Sequence, residues 1–114
     1  MKRVVVLNVA AVLLASVASL SFASETPDPA MLEKGKILFT QKAIPACAIC
    51  HTMADAEATG GIGPDLDELK PDVTMIKQAM KDGLGAMPSF SATLSDDDMN
   101  AIAAYVVHAT GGTP

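Results

Sequence analysis

The sequence is short of large aromatic residues and of cysteine. Among 114 residues there is no Trp, one Tyr and three Phe, so few side chains of the kind that dominate a core are available. Two Cys are too few for the disulfide framework of a small secreted scaffold. Cations are also scarce, 8 Lys and Arg against 13 Asp and Glu, for a formal net charge of -5. That balance argues against a nucleic-acid binder, whose dominant affinity term needs clustered cations. No segment alternates convincingly enough to predict a strand, and no internal repeat is present. Half the residues are nevertheless hydrophobic, and the length fits one small domain.

Part of that apolar content sits at the N-terminus. Met1-Lys2-Arg3 forms a short positive region, Val4 to Leu14 runs apolar apart from Asn8, and Ser21-Phe22-Ala23 is a small-x-small cleavage site. This is the layout of a secretory signal peptide. A membrane anchor is the alternative, but the strongly apolar run of 11 residues falls well short of the ~20 that span a bilayer. Cleavage after Ala23 is favoured over cleavage after Ala18. Residues 1–23 are then a removable segment and 24–114 a single domain of 91 residues with a net charge of -7. A chain of that size often relies on a metal, disulfide or cofactor to complete its core.

Helical periodicity marks three places. Asp28-Pro29 predicts an N-cap followed by Pro in the first turn, and Met31, Leu32, Gly35, Leu38 and Phe39 continue at helical spacing to about residue 40. Asp72 predicts the cap of a helix over 73–82, with Val73, Ile76, Ala79 and Met80 on one face and Gly83 as its stop. Ser95, followed by Asp96, Asp97 and Asp98, opens the last helix, which ends at Gly111-Gly112. Between them, residues 52–69 and 83–93 read as loops, the first with short helical turns. Loops that long in so small a domain suggest that they wrap something.

Cys47-Ala48-Ile49-Cys50-His51 has the C-x-x-C-H spacing of c-type haem attachment. Two thiols can add across the two vinyl groups of one haem. The two intervening residues let both sulfurs reach the same porphyrin edge, and His51 then points its imidazole at the iron. Three other uses compete. A redox dithiol belongs with a βαβ pattern that is absent here. Zinc needs four ligands, and Cys47, Cys50, His51 and the distant His108 are the only soft donors. A disulfide across two residues would constrain little.

A second axial ligand is then sought. Met87, in the sequence Ala86-Met87-Pro88, lies in a loop 36 residues beyond His51, and Pro88 restricts its backbone. Met31, Met75, Met80 and Met99 fall in predicted helices as core or surface filler, and Met53 is too near His51 to reach the opposite face. Met80 is the main rival. His108, giving a bis-His iron, is a remoter one, since it sits near a helix C-terminus where exposure is usual. Ile44, Ile62, Leu66, Leu69, Ile76, Met80, Leu84, Phe90 and Ile102 are candidate walls for the group.

From about Pro29 to Gly112 the chain resembles a class I c-type cytochrome of the small monohaem bacterial kind. Gly35 and Phe39 resemble the family's first-helix pair, Tyr105 its aromatic partner on the last helix, Cys47, Cys50 and His51 the haem motif, and Met87 the distal ligand. Pro64, in Gly63-Pro64-Asp65-Leu66, resembles the residue whose carbonyl accepts a hydrogen bond from His51 Nδ1. The resemblance implies an all-α cytochrome c fold of three to five short helices around one covalent haem c, with the N- and C-terminal helices packed together. It also implies a periplasmic electron carrier rather than an enzyme, with redox proteins as donors and acceptors, a terminal oxidase among them. An alternative is an electron-transfer subunit of a larger periplasmic oxidoreductase acting on sulfite, another sulfur compound or an alcohol. A ligand-binding haem sensor is a third. The chain departs from larger members in its short loop between His51 and Met87 and in lacking Trp. N-terminal sequencing of the exported protein is expected to begin at Ser24; an uncut Met1 would refute the signal-peptide assignment.

Overall fold

The computed structural model describes residues 26–114, so the predicted export segment 1–23 lies outside the described residues. Helix α1 spans Pro29–Ile37. The Asp28 carboxylate accepts the Ala30 N–H at 3.1 Å, satisfying a donor that helix geometry leaves free. The chain then widens into a π-helical turn, Leu38–Lys42, closed by the Ala43 N–H to the Leu38 carbonyl at 3.0 Å. Helix α2, Cys47–Cys50, is a single turn.

Two short strands follow, β1 (Thr52–Met53) and β2 (Ala58–Thr59), paired antiparallel with Thr52 opposite Thr59 and Met53 opposite Ala58. A 3₁₀ turn over Ala54–Ala56 joins them. The sequence predicts no strand here, because two residues per strand are too few to display an alternation. What fixes the pair is burial of Met53 and Ala58.

Helix α3 spans Leu66–Leu69, with Asp65 accepting from the Asp67 and Glu68 N–H groups. Helix α4 spans Val73–Asp82, where Asp72 accepts the Met75 N–H at 2.7 Å. Helix α5 spans Asp96–Thr110, opened by a reciprocal Ser95/Asp98 capping box and closed by Gly111 in the left-handed region. The three long helices therefore match their predicted bounds closely, and the fold is all-α in its main elements.

The core forms where α1 crosses α5. A Cβ on Gly35 would run into the Ala101 carbonyl oxygen and approach Tyr105 Cβ to 2.6 Å. Only hydrogen at this position lets the helices meet so closely. One turn on, Phe39 packs edge-on against Tyr105 with ring centroids 6.0 Å apart, a favoured aromatic geometry. Phe39, Met53, Ile102 and Val106 are the largest fully buried side chains. The Lys34–Asp98 ion pair, at 2.7 Å, bridges the same two helices at the surface.

A polar contact adds the β1–β2 connection to this crossing. The Tyr105 hydroxyl donates to Asp55 Oδ2 at 2.6 Å, and Lys36 Nζ donates to the Asp55 carbonyl at 2.9 Å and to its carboxylate at 3.2 Å. The Tyr105 hydrogen bond chiefly, then Lys36, holds the Asp55 carboxyl below its usual value. Burial, reinforced by Asp55, pushes the Tyr105 phenol up. Tyr105→Phe is expected to cost about 1 kcal/mol. A carboxyl depressed in the folded state stabilises fully above the unfolded value and loses that contribution as pH falls through the lower folded one. Denaturation of wild type and Asp55→Asn should therefore show a stability gap at neutral pH that narrows below about pH 4. A gap independent of pH would refute the contribution of the ionised carboxylate.

Candidate functional site

Cys47 and Cys50 stand three residues apart on the single turn of α2, so both side chains share one face. His51 has left the helix, with φ -107° and ψ 141°. Its backbone remains tied in: its N–H donates to the Cys47 carbonyl at 3.0 Å. The Cys50 carbonyl accepts from Ile62 at 3.1 Å and Gly63 at 2.7 Å. The Thr52 hydroxyl donates to the Gly60 carbonyl at 2.9 Å, which completes the return of the hairpin beneath the motif.

His51 Nδ1 lies 2.8 Å from the Pro64 carbonyl oxygen. A carbonyl only accepts, so Nδ1 carries a proton, and in the neutral ring Nε2 is the nitrogen with the lone pair. That is the tautomer a metal-binding imidazole needs, and the bond also fixes the ring's direction.

Met87 is presented by a tight turn after α4. Leu84 and Met87 exchange both backbone hydrogen bonds, each at 3.0 Å. Gly83 allows the turn by adopting φ +73°, and a Cβ there would come within 2.8 Å of the Met87 carbonyl oxygen. The Phe90 N–H donates to the Met80 carbonyl at 2.7 Å, and the Ser91 hydroxyl to the Lys81 carbonyl at 2.8 Å. These bonds secure the far end of the loop to α4.

Cys47, Cys50, His51, Pro64 and Met87 all line one cavity of about 260 Å³. Its walls are almost wholly apolar. Eight of the nine predicted wall residues line it; Ile44 does not, and stands 82% exposed. Ile44 precedes Pro45, and the chain turns into the cavity wall only from Pro45 onward. Phe39, Pro71, Met75, Ala79 and Val106 also line it and were not expected. For Ala79 a signal existed, since it shares the helical face of Ile76 and Met80, and Met75 lies one turn before Ala79. Ile62 and Leu84 line the cavity yet are 69% and 77% exposed, and Leu69 and Met75 are exposed as well. So much apolar surface directed at one cleft fits a large flat apolar group that covers it. The thiol, imidazole and thioether donors around it fit a haem with soft and nitrogen ligands.

The other uses of the motif lack support. Burial, and to a lesser extent Cys50, raises the Cys47 thiol to about 11, whereas a redox dithiol works through a lowered value. His108 is exposed on α5 and is not among the cavity's residues. Among the described residues, no group of three or more His, Cys, Asp or Glu converges to hold a metal ion. Of the two Met rivals, Met80 is 2% exposed within the core cluster, while Met87 is partly buried on the loop.

Covalent attachment segment, all-α fold and apolar cleft together define a c-type cytochrome of class I. Residues 30–106 match the family described as "Cytochrome C oxidase, cbb3-type, subunit III", and the chain belongs to this cytochrome c family. It is 35% identical to cytochrome c6 of Synechocystis sp. (strain ATCC 27184 / PCC 6803 / Kazusa) over 89 residues, covering 67% of this chain and 63% of that protein. Cytochrome c6 of Leptolyngbya boryana is 34% identical over 65 residues, 54% of this chain and 76% of its own. Among solved structures, the c-type cytochrome SorU from Sinorhizobium meliloti superposes with a TM-score of 0.70 at 42% identity, over 75% of this chain and 98% of its own. Membership implies covalently bound haem c. Haem is accordingly expected to stay with the wild-type polypeptide in acid acetone and to extract from a Cys47→Ala/Cys50→Ala double variant. Free extraction from wild type would refute covalent attachment.

Proposed function

We propose that the mature chain is a periplasmic monohaem cytochrome that carries single electrons between redox proteins, with one haem c bound through Cys47 and Cys50 and its iron held between His51 and Met87. The observation that carries this reading is the shared cavity. It gathers both thiols, an imidazole whose Nε2 lone pair is free, and a loop methionine within apolar walls. When bound, haem supplies a one-electron couple at its iron. The chain's own residues do the rest. The Cys47 and Cys50 sulfurs each form a thioether and anchor the group. The Pro64 carbonyl keeps the His51 proton on Nδ1 and leaves Nε2 as the ligand. The Leu84–Met87 turn holds the thioether of Met87 in place, and a thioether ligand favours the reduced state.

With His51 and Met87 both holding the iron, no open position would remain for a substrate, so the chain would act as a carrier and not as an enzyme on its own. Apolar walls keep water from the site and limit reorganisation when the charge changes. No described helix is long and apolar enough to cross a membrane, and export by residues 1–23 would deliver the chain to the compartment where haem c is attached. The family description names an oxidase subunit, which favours one second reading, an electron-transfer subunit of a larger periplasmic oxidoreductase. Native purification separates the two: a lone small protein supports the carrier, and a stable complex with a catalytic subunit supports the second reading.

The ligand assignment is tested by the near-infrared methionine–iron band of the oxidised protein. Met87→Ala is expected to abolish it and to lower the reduction potential, while Met80→Leu and His108→Gln keep the band. Retention in Met87→Ala would refute Met87 as the ligand.

A further inference from the structure

Residues 60–63 read Gly60-Gly61-Ile62-Gly63, and the three glycines meet different surroundings. None of the three is among the residues with positive φ. Alanine at any of them therefore meets no left-handed strain, and only local space distinguishes them. A Cβ on Gly63 would lie 2.6 Å from His51 Cε1, 2.8 Å from Nδ1 and 3.1 Å from Nε2. Those three atoms belong to one imidazole edge, so the ring lies directly against the Gly63 backbone. A Cβ on Gly60 would collide with the Ile49 carbonyl oxygen and come within 2.5 Å of Cys50 C and 2.7 Å of Cys50 N. These are backbone atoms of the attachment turn, which cannot swing aside as a flexible side chain can. Gly61, between them, has nothing within 4 Å.

We propose that Gly60 and Gly63 are positioning residues for His51, forming a seat without side chains that sets the plane of its imidazole. Gly60 fixes the height of the backbone from which the ring hangs. Gly63 supports the ring's edge. Its own N–H donates to the Cys50 carbonyl at 2.7 Å, and the carbonyl of the next residue, Pro64, accepts the Nδ1–H hydrogen bond at 2.8 Å. Ring and seat are therefore clamped by two hydrogen bonds in consecutive residues, and the packing leaves no room for a methyl group. A methyl at Gly63 must turn the ring or lift it from Pro64, and the hydrogen bond weakens as its N–H···O angle bends away from linear. The orientation of an axial imidazole tunes the electronic state of the metal it binds. The seat would thus act on the iron through geometry, without touching it.

This inference rests on the haem reading, and its test keeps the two apart. Oxidised holoprotein is examined by low-temperature EPR and by the hyperfine-shifted haem methyl resonances in ¹H NMR, both of which respond to the plane of the axial imidazole. Gly63→Ala and Gly60→Ala are expected to shift the g values and change the spacing of the methyl resonances, and Gly61→Ala to match wild type. Gly111→Ala is the control for a merely structural effect. Its φ of +71° strains any side chain, and its Cβ would meet nothing within 4 Å, so Tm should fall while both spectra stay as in wild type. If Gly63→Ala yields no loaded protein, Gly60→Ala decides. Wild-type spectra in every loaded variant of Gly60 and Gly63, or the same spectral change in Gly111→Ala, would overturn the seat. Loss of haem from the wild type in acid acetone would instead overturn the haem reading itself.

Discussion

The structure depends on how closely α1 can approach α5. At Gly35 the approach is limited only by a hydrogen atom against the Ala101 carbonyl. That depth brings Phe39 edge-on to Tyr105 and places the Tyr105 hydroxyl within reach of Asp55. Asp55 lies in the connection between β1 and β2, and β1 follows directly on His51. The crossing of the terminal helices is thereby linked through one aromatic pair and one carboxylate to the hairpin that follows His51. Coupling of this kind needs no moving part. It holds because each contact leaves the next group little freedom.

The acidic character of the chain looks different once its carboxylates are placed. Asp28, Asp65 and Asp72 cap helices, and Asp98 completes the capping box of α5. Asp67 accepts the Ala54 N–H at 2.7 Å and so joins α3 to the hairpin. Asp55 is held by Lys36 and Tyr105, while Asp98 also pairs with Lys34, which depresses its pKa. Many of the acids therefore satisfy backbone donors or nearby cations in a chain of many short elements, each of which begins with free N–H groups. A negative charge acquired in this way reflects how often the chain starts a helix. It carries little information about a partner.

The long helices were legible because caps and periodicity agreed: Asp28-Pro29, Asp72 and Ser95 each mark the start observed. The C-x-x-C-H segment and the two loops were legible by spacing. The hairpin was not, because its strands are two residues long and its stability comes from Met53 and Ala58 in the core. Tyr105 was readable from the family resemblance as the aromatic partner of the first helix, but its hydrogen bond to Asp55 spans 50 positions and leaves no periodic trace. Gly60, Gly61 and Gly63 looked alike in a glycine-rich loop. Distances to Cys50 and His51 alone separate them, and those exist only in three dimensions. Ile44 was misplaced because composition near the motif does not say on which side of Pro45 the cavity wall begins.

The apolar cleft also bears on the life history of the chain. Ile62, Leu69, Met75 and Leu84 all line it with side chains that the polypeptide alone leaves open to water. A group attached through Cys47 and Cys50 stays on the chain whether it is folded or not, but its contacts with the cleft walls exist only in the folded form and stabilise that form. A copy that misses its cofactor carries the sticky surface that chaperones and proteases recognise in incomplete proteins. The same side chains that enclose the redox centre in a finished molecule thus mark an unfinished one, and quality control requires no separate tag.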